Sequence, residues 1–276
     1  RNAQRRPAYG PQKPEPVVHC AALIEVATSL TETATYYDCN VGGAITLVKA
    51  AQEAGVGAFV FSSTCAVYGP PQRLPLDETH PLAPISPYGR TKMMVEQVLE
   101  DLRTHHAFPA VSLRYFNASG AHWQSEIGEK HTPETHAIPL AILAALGRRN
   151  GFKIFGTDYD TPDGTAVRDY IHVLDLADAH VRALEYLLAG GAGDVFNLGT
   201  GTGSSVRELV DTISKVSGKP FEVQLAERRP GDPPSLVADS SKAERVLGWT
   251  PAHTFQDTIE SAWMWHSETE RHLFQT

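Results

Sequence analysis

Residues 57–63 read GAFVFSS, a short apolar run that ends in two serines. Comparable runs occur at 16–23 (PVVHCAAL), 109–116 (PAVSLRYF) and 194–199 (DVFNLG). The intervening segments 40–56 and 86–102 instead repeat apolar residues at the spacing of one helix face. Apolar strands that alternate with amphipathic helices are typical of βαβ units, whose parallel sheet is covered on both faces. We therefore predict an α/β fold, with the Pro-rich, irregular segments 124–165 and 226–256 forming a smaller second lobe.

Composition excludes several classes of protein. The 276 residues carry a net charge of −8, whereas a nucleic-acid-binding surface needs a basic excess. No apolar run approaches the roughly 18 residues of a membrane-spanning helix. The three cysteines, Cys20, Cys39 and Cys65, form no CxxC pair, which favours a reducing compartment with the cytoplasm as the default. The first sixteen residues are rich in Arg and Pro, and we expect a disordered tail there, with a transit peptide as the alternative.

The segment SPYGRTK (86–92) places Tyr88 and Lys92 one helical turn apart at the predicted start of a helix. It follows FSSTCAVYG (61–69), whose hydroxyl groups leave the C-terminal end of a strand, where parallel sheets carry their sites. A tyrosine base working near neutral pH needs its pKa lowered by about 3 units, and an ammonium at about 4 Å supplies an effect of that order. The pair is either a catalytic base with its cation or a surface tyrosine beside a solvated lysine, and the spacing alone does not decide.

Two further segments carry side chains suited to anions and ribose. Arg168 precedes a strand-like YIHV, and RRPGD places Arg229 and Asp232 on a turn. A guanidinium binds phosphate through two parallel hydrogen bonds, and a carboxylate accepts hydrogen bonds from ribose hydroxyls. The alternative is a structural brace of the loop, in which Arg168 pairs with Asp163 or Asp169.

The segment NLGTGTGSSVREL (197–209) mimics a dinucleotide-binding turn. Its three glycines follow a strand and precede a helix, but their spacing is G-x-G-x-G rather than G-x-G-x-x-G. Ser205 and Glu208 are more simply a capping box at the start of that helix.

Twelve histidines raise the question of a metal site. His131 and His136 lie five positions apart in a Pro/Thr loop, and His105 and His106 end a helix. Neither pair has an evident carboxylate or thiolate partner at metal-binding spacing. We expect no metal ion.

Eight segments occur in an order and spacing that resemble one family: VVHCAALIEVATSL, FSSTCAVYG, SPYGRTKMMVEQVL, LRYFNASGAH, DGTAVRDYIHVLDLADAH, NLGTGTGSSV, RRPGD and SKAERVLGW. From residue 16 to about residue 268 the chain resembles the UDP-glucose 4-epimerases, which are extended short-chain dehydrogenases/reductases. The resemblance implies NAD as cofactor and a UDP-sugar as substrate. It also implies interconversion of UDP-galactose and UDP-glucose by oxidation at C4, rotation of the 4-keto sugar and re-reduction.

The resemblance also implies roles for single residues. Tyr88 is implied to be the base that takes the O4 proton, Lys92 to hold the nicotinamide ribose and lower the tyrosine pKa, and Thr64 to share the O4 hydrogen bond. The other positions implied to surround NAD are Cys20, Ala21, Ala22, Asn40, Ser62 and Phe116. The positions implied to hold the substrate, besides Thr64 and Tyr88, are Asn117, His136, Phe155, Arg168, Arg229 and Asp232.

The chain departs from the family pattern at several positions. Cys20 stands where many members have Phe, Ile24 where several have Lys, and His136 where some have Asn. Leu236 lies at a variable position of the pocket, so N-acetylated hexoses stay open as substrates. UDP-arabinose and UDP-xylose are further alternatives, which the sequence separates poorly from UDP-galactose and UDP-glucose. Cys-Ala follows Thr64, whereas a related 4,6-dehydratase would need Asp-Glu there.

Family members begin with a strand and a GxxGxxG turn, and the residues before Pro16 show neither. The resemblance therefore implies a partial Rossmann-type sheet without its first strands. The implied divisions are a disordered tail (1–16), an incomplete NAD-binding domain (17–117 and 165–199) and a UDP-sugar-binding lobe (118–164 and 200–276). We expect an edge strand at 16–23, weakened NAD affinity and a homodimer. A non-catalytic UDP-sugar-binding fragment is the alternative to an active enzyme.

Overall fold

The structure is a computed structural model that describes residues 16–124, 127–229 and 231–268. The tail predicted for residues 1–16 therefore lies outside the described residues, apart from Pro16. The strands are β1 (Val17–His19), β2 (Phe59–Thr64), β3 (Ala110–Tyr115), β4 (Asn117–Ser119), β5 (Phe152–Phe155), β6 (Val167–Arg168), β7 (Tyr170–His172), β8 (Asp194–Leu198), β9 (Ser204–Ser205), β10 (Val223–Ala226) and β11 (Ser235–Leu236). The α-helices are α1 (Val26–Thr31), α2 (Thr33–Tyr36), α3 (Gly43–Glu53), α4 (Pro87–His106), α5 (Ala137–Ala145), α6 (Val173–Leu188), α7 (Val206–Ser217), α8 (Ser241–Leu247) and α9 (Phe255–Glu268).

Four parallel strands form the main sheet in the order β1-β2-β3-β8. These are the four apolar runs of the sequence, so the predicted parallel α/β sheet is confirmed. Strand β1 lies at one end of this sheet, and Val18 in it is 41% exposed, which agrees with the edge strand expected at 16–23.

Side chains of β2 alternate between the two faces of the sheet. Phe59 and Phe61 pack with the buried faces of α3 and α4, whereas Val60 packs with α6 on the other face. Every residue of β2 is buried, as expected for a central strand of a parallel sheet with helices on both sides. This double cover explains why the run shows no polar alternation.

Helix α4 begins and ends at identifiable residues. The Ser86 hydroxyl accepts a hydrogen bond from Gly89 N at 3.1 Å, and Pro87 occupies the first turn, where its missing N–H costs no hydrogen bond. Ala107, with φ of 50°, closes the C-terminus. The predicted helix over 40–56 is preceded by a π-helical turn at Tyr37–Gly42 and ends at Glu53.

A second apolar core lies among α5, α7, α9 and β5. The prediction of irregular structure over 124–165 and 226–256 is wrong at β5 and α8, and most of all at residues 137–145, which form α5. The reason is that AIPLAILAA is apolar on nearly every side, with Ile138 and Ile142 fully enclosed, so no helical period shows. The division of the chain into two lobes with the boundaries given above stays a prediction.

Short sheets connect the segment 165–172 to its neighbours. Strand β7 pairs in parallel with β4, while β6 pairs with β9 and β11. These pairings bring the chain after β3 next to Arg168 and Asp169. Each helix within the described ranges is too short or too polar to cross a bilayer.

Candidate active site

The C-terminal ends of β1, β2 and β3 meet at one edge of the main sheet, where open α/β sheets bind ligands. At this edge, Ser62, Thr64, Tyr88 and Lys92 form a group that we call the strand-end site. Helix α4 starts beside the end of β2, and the Thr64 side chain at the end of this strand lowers the pKa of Tyr88 in the first turn of the helix. One turn later, Lys92 Nζ donates to the Ser62 carbonyl at 2.8 Å. The structure thus brings the three predicted catalytic residues together.

Burial dominates the protonation of the strand-end site. It raises the pKa of Tyr88 well above the usual value, and the hydrogen bond with Thr64 offsets only part of this. It lowers the pKa of Lys92 to about 8, against the opposing influence of Cys20 and Glu96. That Lys92 lowers the tyrosine pKa stays a prediction; here the ammonium is directed at the Ser62 carbonyl, and desolvation is the largest influence on the pKa of Tyr88.

Asn40 joins the segment after β1 to helix α4. Its side chain accepts from Leu23 N at 2.8 Å and donates to Leu23 O at 2.9 Å, and it also donates to Thr91 Oγ1 at 3.1 Å. The preceding residues Cys20 and Ala21 are exposed beside the strand-end site. Asn40 therefore fixes the backbone of the small-residue segment that the sequence assigned to NAD.

Ser62 also reaches the opposite side of the sheet edge. Its Oγ donates to Cys20 Sγ at 3.2 Å and lies 3.0 Å from His180 Nε2. The hydrogen bond with His180 is the main reason that the pKa of the Cys20 thiol is lowered. Sequence analysis did not identify His180. Its position on the face of α6 that turns toward β2 was the available signal.

The donor groups at this edge fit the nicotinamide-ribose end of a dinucleotide. Lys92 is only 3% exposed, and within the described ranges its ammonium has one acceptor, the Ser62 carbonyl. An ammonium has three donors, so ribose hydroxyls would complete its hydrogen bonds. Phe116, also assigned to NAD, instead packs in a small apolar cluster with Tyr68 and Leu76.

A buried ion pair joins helix α4 to the strands that end at this edge. Arg114 on β3 contacts both carboxylate oxygens of Glu96 on α4, at 3.0 and 3.1 Å from Nε, and donates to Tyr68 Oη at 3.0 Å. The Ser63 hydroxyl donates to the same carboxylate. Because Glu96 and Arg114 are about 5% exposed, this network locks α4 onto β2 and β3. The sequence showed Glu96 only as one polar position of the helix.

The predicted UDP-binding residues gather in a second group, the anion pocket. Arg168 Nη2 forms an ion pair with Asp232, and the Arg229 guanidinium lies 4.0 Å from the centre of the Phe155 ring. Asn117 on β4 pairs with Tyr170 of β7, two residues after Arg168. Five of the six predicted residues are therefore linked: Asn117, Phe155, Arg168, Arg229 and Asp232.

Arg168 is braced by Asp232 and not by either aspartate considered from the sequence. Asp163 instead accepts from Thr165 N at 2.8 Å and from the Ser205 hydroxyl. Asp169 is fully buried, and its carboxylate accepts four hydrogen bonds, from the N–H and hydroxyl of Thr200 and from the N–H groups of Gly201 and Ala238.

The Asp169 carboxylate also explains why glycines occur in the segment 199–203. A Cβ at Gly199 would lie 2.5 Å from Asp169 Oδ2, so a side chain there would collide with the anchor. This segment therefore wraps a buried aspartate, and the next helix, α7, begins with the expected capping box of Ser205 and Glu208.

His136, the sixth predicted substrate residue, belongs to a different group. It precedes α5 and, with Glu129, His131 and Glu134, forms what we call the Glu–His cluster, whose ligand-type atoms all lie within 4.8 Å of one another. His136 Nδ1 lies 2.5 Å from Glu129 Oε1 and 3.3 Å from Glu134 Oε1. The expectation that these histidines lack carboxylate partners is wrong, because the loop folds back on itself.

Charge pairing dominates protonation in the Glu–His cluster. Hydrogen bonds to Glu129 and Glu134 raise the pKa of His136 to about 10. Burial alone would raise the pKa of Glu134, but hydrogen bonds from the side chain and backbone of His136 and from Thr135 lower it to about 2.

Comparison with known proteins identifies the family and the fold. The model of the NAD dependent epimerase/dehydratase family matches residues 2–199. The UDP-glucose 4-epimerase of Rhizobium meliloti (strain 1021) is 60% identical over 255 residues, which are 92% of this chain and 78% of that protein.

Two solved structures have the same fold. A UDP-glucose 4-epimerase of Brucella ovis in complex with NAD has a TM-score of 0.87 at 47% identity, covering 90% of this chain and 76% of that one. A UDP-glucose-4-epimerase of Stenotrophomonas maltophila, with bound NAD and formylated UDP-arabinopyranose, has a TM-score of 0.90 at 41% identity, covering 92% and 76%.

Proposed function

This chain belongs to the NAD dependent epimerase/dehydratase family, and we propose that it interconverts UDP-glucose and UDP-galactose with NAD as cofactor. The observation that carries the proposal is the buried Lys92 ammonium on the Ser62 carbonyl, one helical turn after Tyr88, at the sheet edge where the Thr64 hydroxyl ends β2. Epimerisation at C4 needs one group to take and return the O4 proton, and these hydroxyls supply it.

We assign the proton transfer to Tyr88. The Thr64 hydroxyl lies near enough to the Tyr88 phenol to lower its pKa, so O4 of a bound sugar could hydrogen-bond with both groups. Removing the O4 proton requires a phenolate, and the structure by itself disfavours that form because burial raises the tyrosine pKa. Cationic charge must therefore gather at the edge before the reaction proceeds.

Lys92 is the cation on the same helix. Its pKa of about 8 leaves most molecules protonated at neutral pH, and its place one turn after Tyr88 keeps the charge at the sheet edge. The chemistry that bound NAD would supply is reversible hydride transfer at C4 of the sugar. Asn40, Ser62 and the exposed residues after β1 would hold the nicotinamide end of NAD.

We assign the UDP part of the substrate to the anion pocket. Arg168 and Arg229 offer guanidinium groups suited to the two phosphates, and Phe155 offers an aromatic face. Asp232, which holds Arg168 here, could accept hydrogen bonds from ribose hydroxyls. His136, which lies outside this group, is assigned to the substrate only by family resemblance.

A coupled assay tests the activity. The protein is mixed with NAD and UDP-galactose, and UDP-glucose is detected with UDP-glucose dehydrogenase. We expect turnover that depends on Tyr88, whereas binding without turnover would favour a non-catalytic UDP-sugar-binding protein. Parallel reactions with UDP-arabinose and UDP-N-acetylgalactosamine determine the preferred sugar, which Leu236 and its neighbours in the pocket would control.

Two further statements remain predictions. A homodimer is tested by light scattering after gel filtration, and a cytoplasmic location by fractionation of the source cells.

A further inference from the structure

The Glu–His cluster has the composition and spacing of a metal site. We propose that Glu129, His131, Glu134 and His136 bind one divalent transition-metal ion, with zinc as the best fit. This proposal does not depend on the epimerase activity, because its readout is metal content and affinity.

The distances between the ligand-type atoms carry the first argument. His131 Nδ1 lies 3.2 Å from Glu129 Oε1 and 3.6 Å from Glu134 Oε2, and His136 Nδ1 lies 3.3 Å from Glu134 Oε1. Ligands at about 2.1 Å from a tetrahedral zinc ion are separated from each other by roughly 3.4 Å. These three contacts are therefore near the values that a shared ion imposes, whereas the 2.5 Å contact between His136 and Glu129 must lengthen.

The second argument is a ring nitrogen without a hydrogen bond. His131 Nδ1 is shielded from solvent and has no hydrogen-bond partner in the described part of the chain, although two carboxylate oxygens lie nearby. A shielded polar atom without a partner is unfavourable, because it has lost its hydrogen bonds to water and gained none in return. An ion between the nitrogen and the carboxylates satisfies all of them at once, because the imidazole lone pair then points at the metal.

Charge and donor type narrow the choice of ion. Two carboxylates and two neutral imidazoles carry a charge of −2, which one divalent cation neutralises. Magnesium and calcium prefer sites built of oxygen atoms, whereas imidazole nitrogen favours zinc and its first-row neighbours. Two nitrogens and two carboxylate oxygens in a compact, four-ligand arrangement fit tetrahedral zinc.

The position of the cluster indicates a structural ion. All four ligands come from the eight residues Glu129–His136, in two Glu-x-His pairs that lead directly into α5. The other end of the segment is tied to α9, since Trp265 Nε1 donates to Glu129 O at 2.8 Å and its ring packs on Gly128, where a Cβ would come within 2.3 Å. Four protein ligands leave no open position for a reactive water. The ion would therefore hold in place the segment Glu129–His136, which runs from its contact with Trp265 on α9 to the start of α5.

The test begins with metal content and affinity. The protein is prepared without a polyhistidine tag and analysed by mass spectrometry for metals; after treatment with EDTA and dialysis it is titrated with zinc chloride by calorimetry. We expect one zinc ion per chain, a rise in melting temperature with zinc, and the visible absorption of tetrahedral cobalt(II) when cobalt is added instead. Magnesium chloride should produce none of these effects.

Two ligand variants and two controls make the test specific. Glu134→Gln and His131→Ala should weaken zinc binding by about 100-fold or more, because loss of a ligand exceeds the roughly 10- to 100-fold effect of losing an outer partner. His105→Ala at the end of α4 and Glu185→Gln on α6, both exposed, should bind zinc as the unmodified protein does. Melting curves in EDTA verify that each variant folds.

The proposal is wrong if the unmodified protein neither retains zinc nor releases or absorbs heat on titration. It is also wrong if both ligand variants bind as tightly as the controls, since the zinc then sits elsewhere. In either case hydrogen bonds and charge pairing hold the cluster together without a metal ion, with His136 as an imidazolium between two carboxylates.

Discussion

The strand-end site and the Glu–His cluster both bring ionisable side chains close together, but the pKa values of these groups shift in opposite ways. Loss of water dominates the shifts at the first, and charge pairing dominates them in the second. At the strand-end site, loss of water raises the pKa of Tyr88 and lowers that of Lys92 to about 8, so both groups are pushed toward their neutral forms. In the Glu–His cluster, pairing raises the pKa of His136 to about 10 and lowers that of Glu134 to about 2, so both are held in their charged forms.

This difference separates a reactive site from a structural one. Groups pushed toward neutrality can exchange a proton with a ligand once that ligand changes the local charge. Groups that neutralise each other have no such freedom and instead fix the shape of a loop.

The largest effect is expected for Tyr88→Phe. Removing the hydroxyl eliminates the proposed proton acceptor, and general acid–base groups typically contribute about 10²- to 10⁴-fold to rate. The coupled assay should therefore show a fall in kcat of that order. Tyr186→Phe on α6, where the ring packs edge-on against Phe196, is the matched control and should keep normal turnover. Equal activity of the two variants would remove Tyr88 from the mechanism.

Glu96→Gln should give the largest loss of stability. It leaves the Arg114 guanidinium buried without its carboxylate, which typically costs about 3–5 kcal/mol in the free energy of unfolding. Urea denaturation measures the loss. The control is Glu100→Gln one turn later, which breaks an ion pair whose glutamate is 61% exposed and should cost less than about 1 kcal/mol. A loss at Glu96 no greater than that would show that the strand-end site does not depend on the buried pair.

Lys92→Met should remove a rise of stability with pH. The pKa of Lys92 falls from 10.5 to about 8 on folding, so between these values the unfolded chain holds more protons and the folded protein becomes more stable as pH rises. The difference of about 2.5 units corresponds to about 3 kcal/mol in the free energy of unfolding across pH 8 to 10.5.

Denaturation at several pH values compares Lys92→Met with Lys49→Met, an exposed lysine of α3. The Lys49 variant should retain the rise with pH and the Lys92 variant should lack it. Parallel curves for the two variants would show that Lys92 is not desolvated.

The smallest effect is expected for Glu134→Gln measured in EDTA. The carboxylate accepts hydrogen bonds from Thr135 N and His136 N, at 2.8 and 2.9 Å, beside the first turn of α5. Glutamine keeps an oxygen acceptor but loses the charge, so we expect a loss of about 1 kcal/mol in the free energy of unfolding. Glu185→Gln is the control. A stabilising effect of Glu134→Gln would mean that the two carboxylates repel each other more than they hold the loop.

The sequence predicted the framework well where a pattern was long and repeated. The runs that became β2, β3 and β8 are continuous and apolar because both faces of the sheet are covered, and α4 shows both a cap and a period. Thr64, Tyr88 and Lys92 could be placed together because parallel strands end at one edge and helical residues four apart share a face.

The sequence failed where partners meet through an irregular path. The two Glu-x-His pairs approach each other only because the loop before α5 doubles back, and no periodic rule describes that path. Asp169 likewise receives donors from residues more than 30 positions away. Resemblance to a family supplied the assignments in the anion pocket, which spacing alone left undecided between ligand binding and structural bracing.

Arg168 and Asp169 are adjacent, yet their side chains serve opposite sides of one backbone. The carboxylate of Asp169 accepts hydrogen bonds from four donors, which fix the backbone beside it. This backbone therefore stays in place when a ligand binds to the neighbouring Arg168 guanidinium. A phosphate that replaces Asp232 at Arg168 would therefore meet a receptor already held in position and would order little additional chain. Removing the hydrogen bonds to Asp169 should therefore lower the affinity for the nucleotide, although none of the changed atoms contacts the nucleotide.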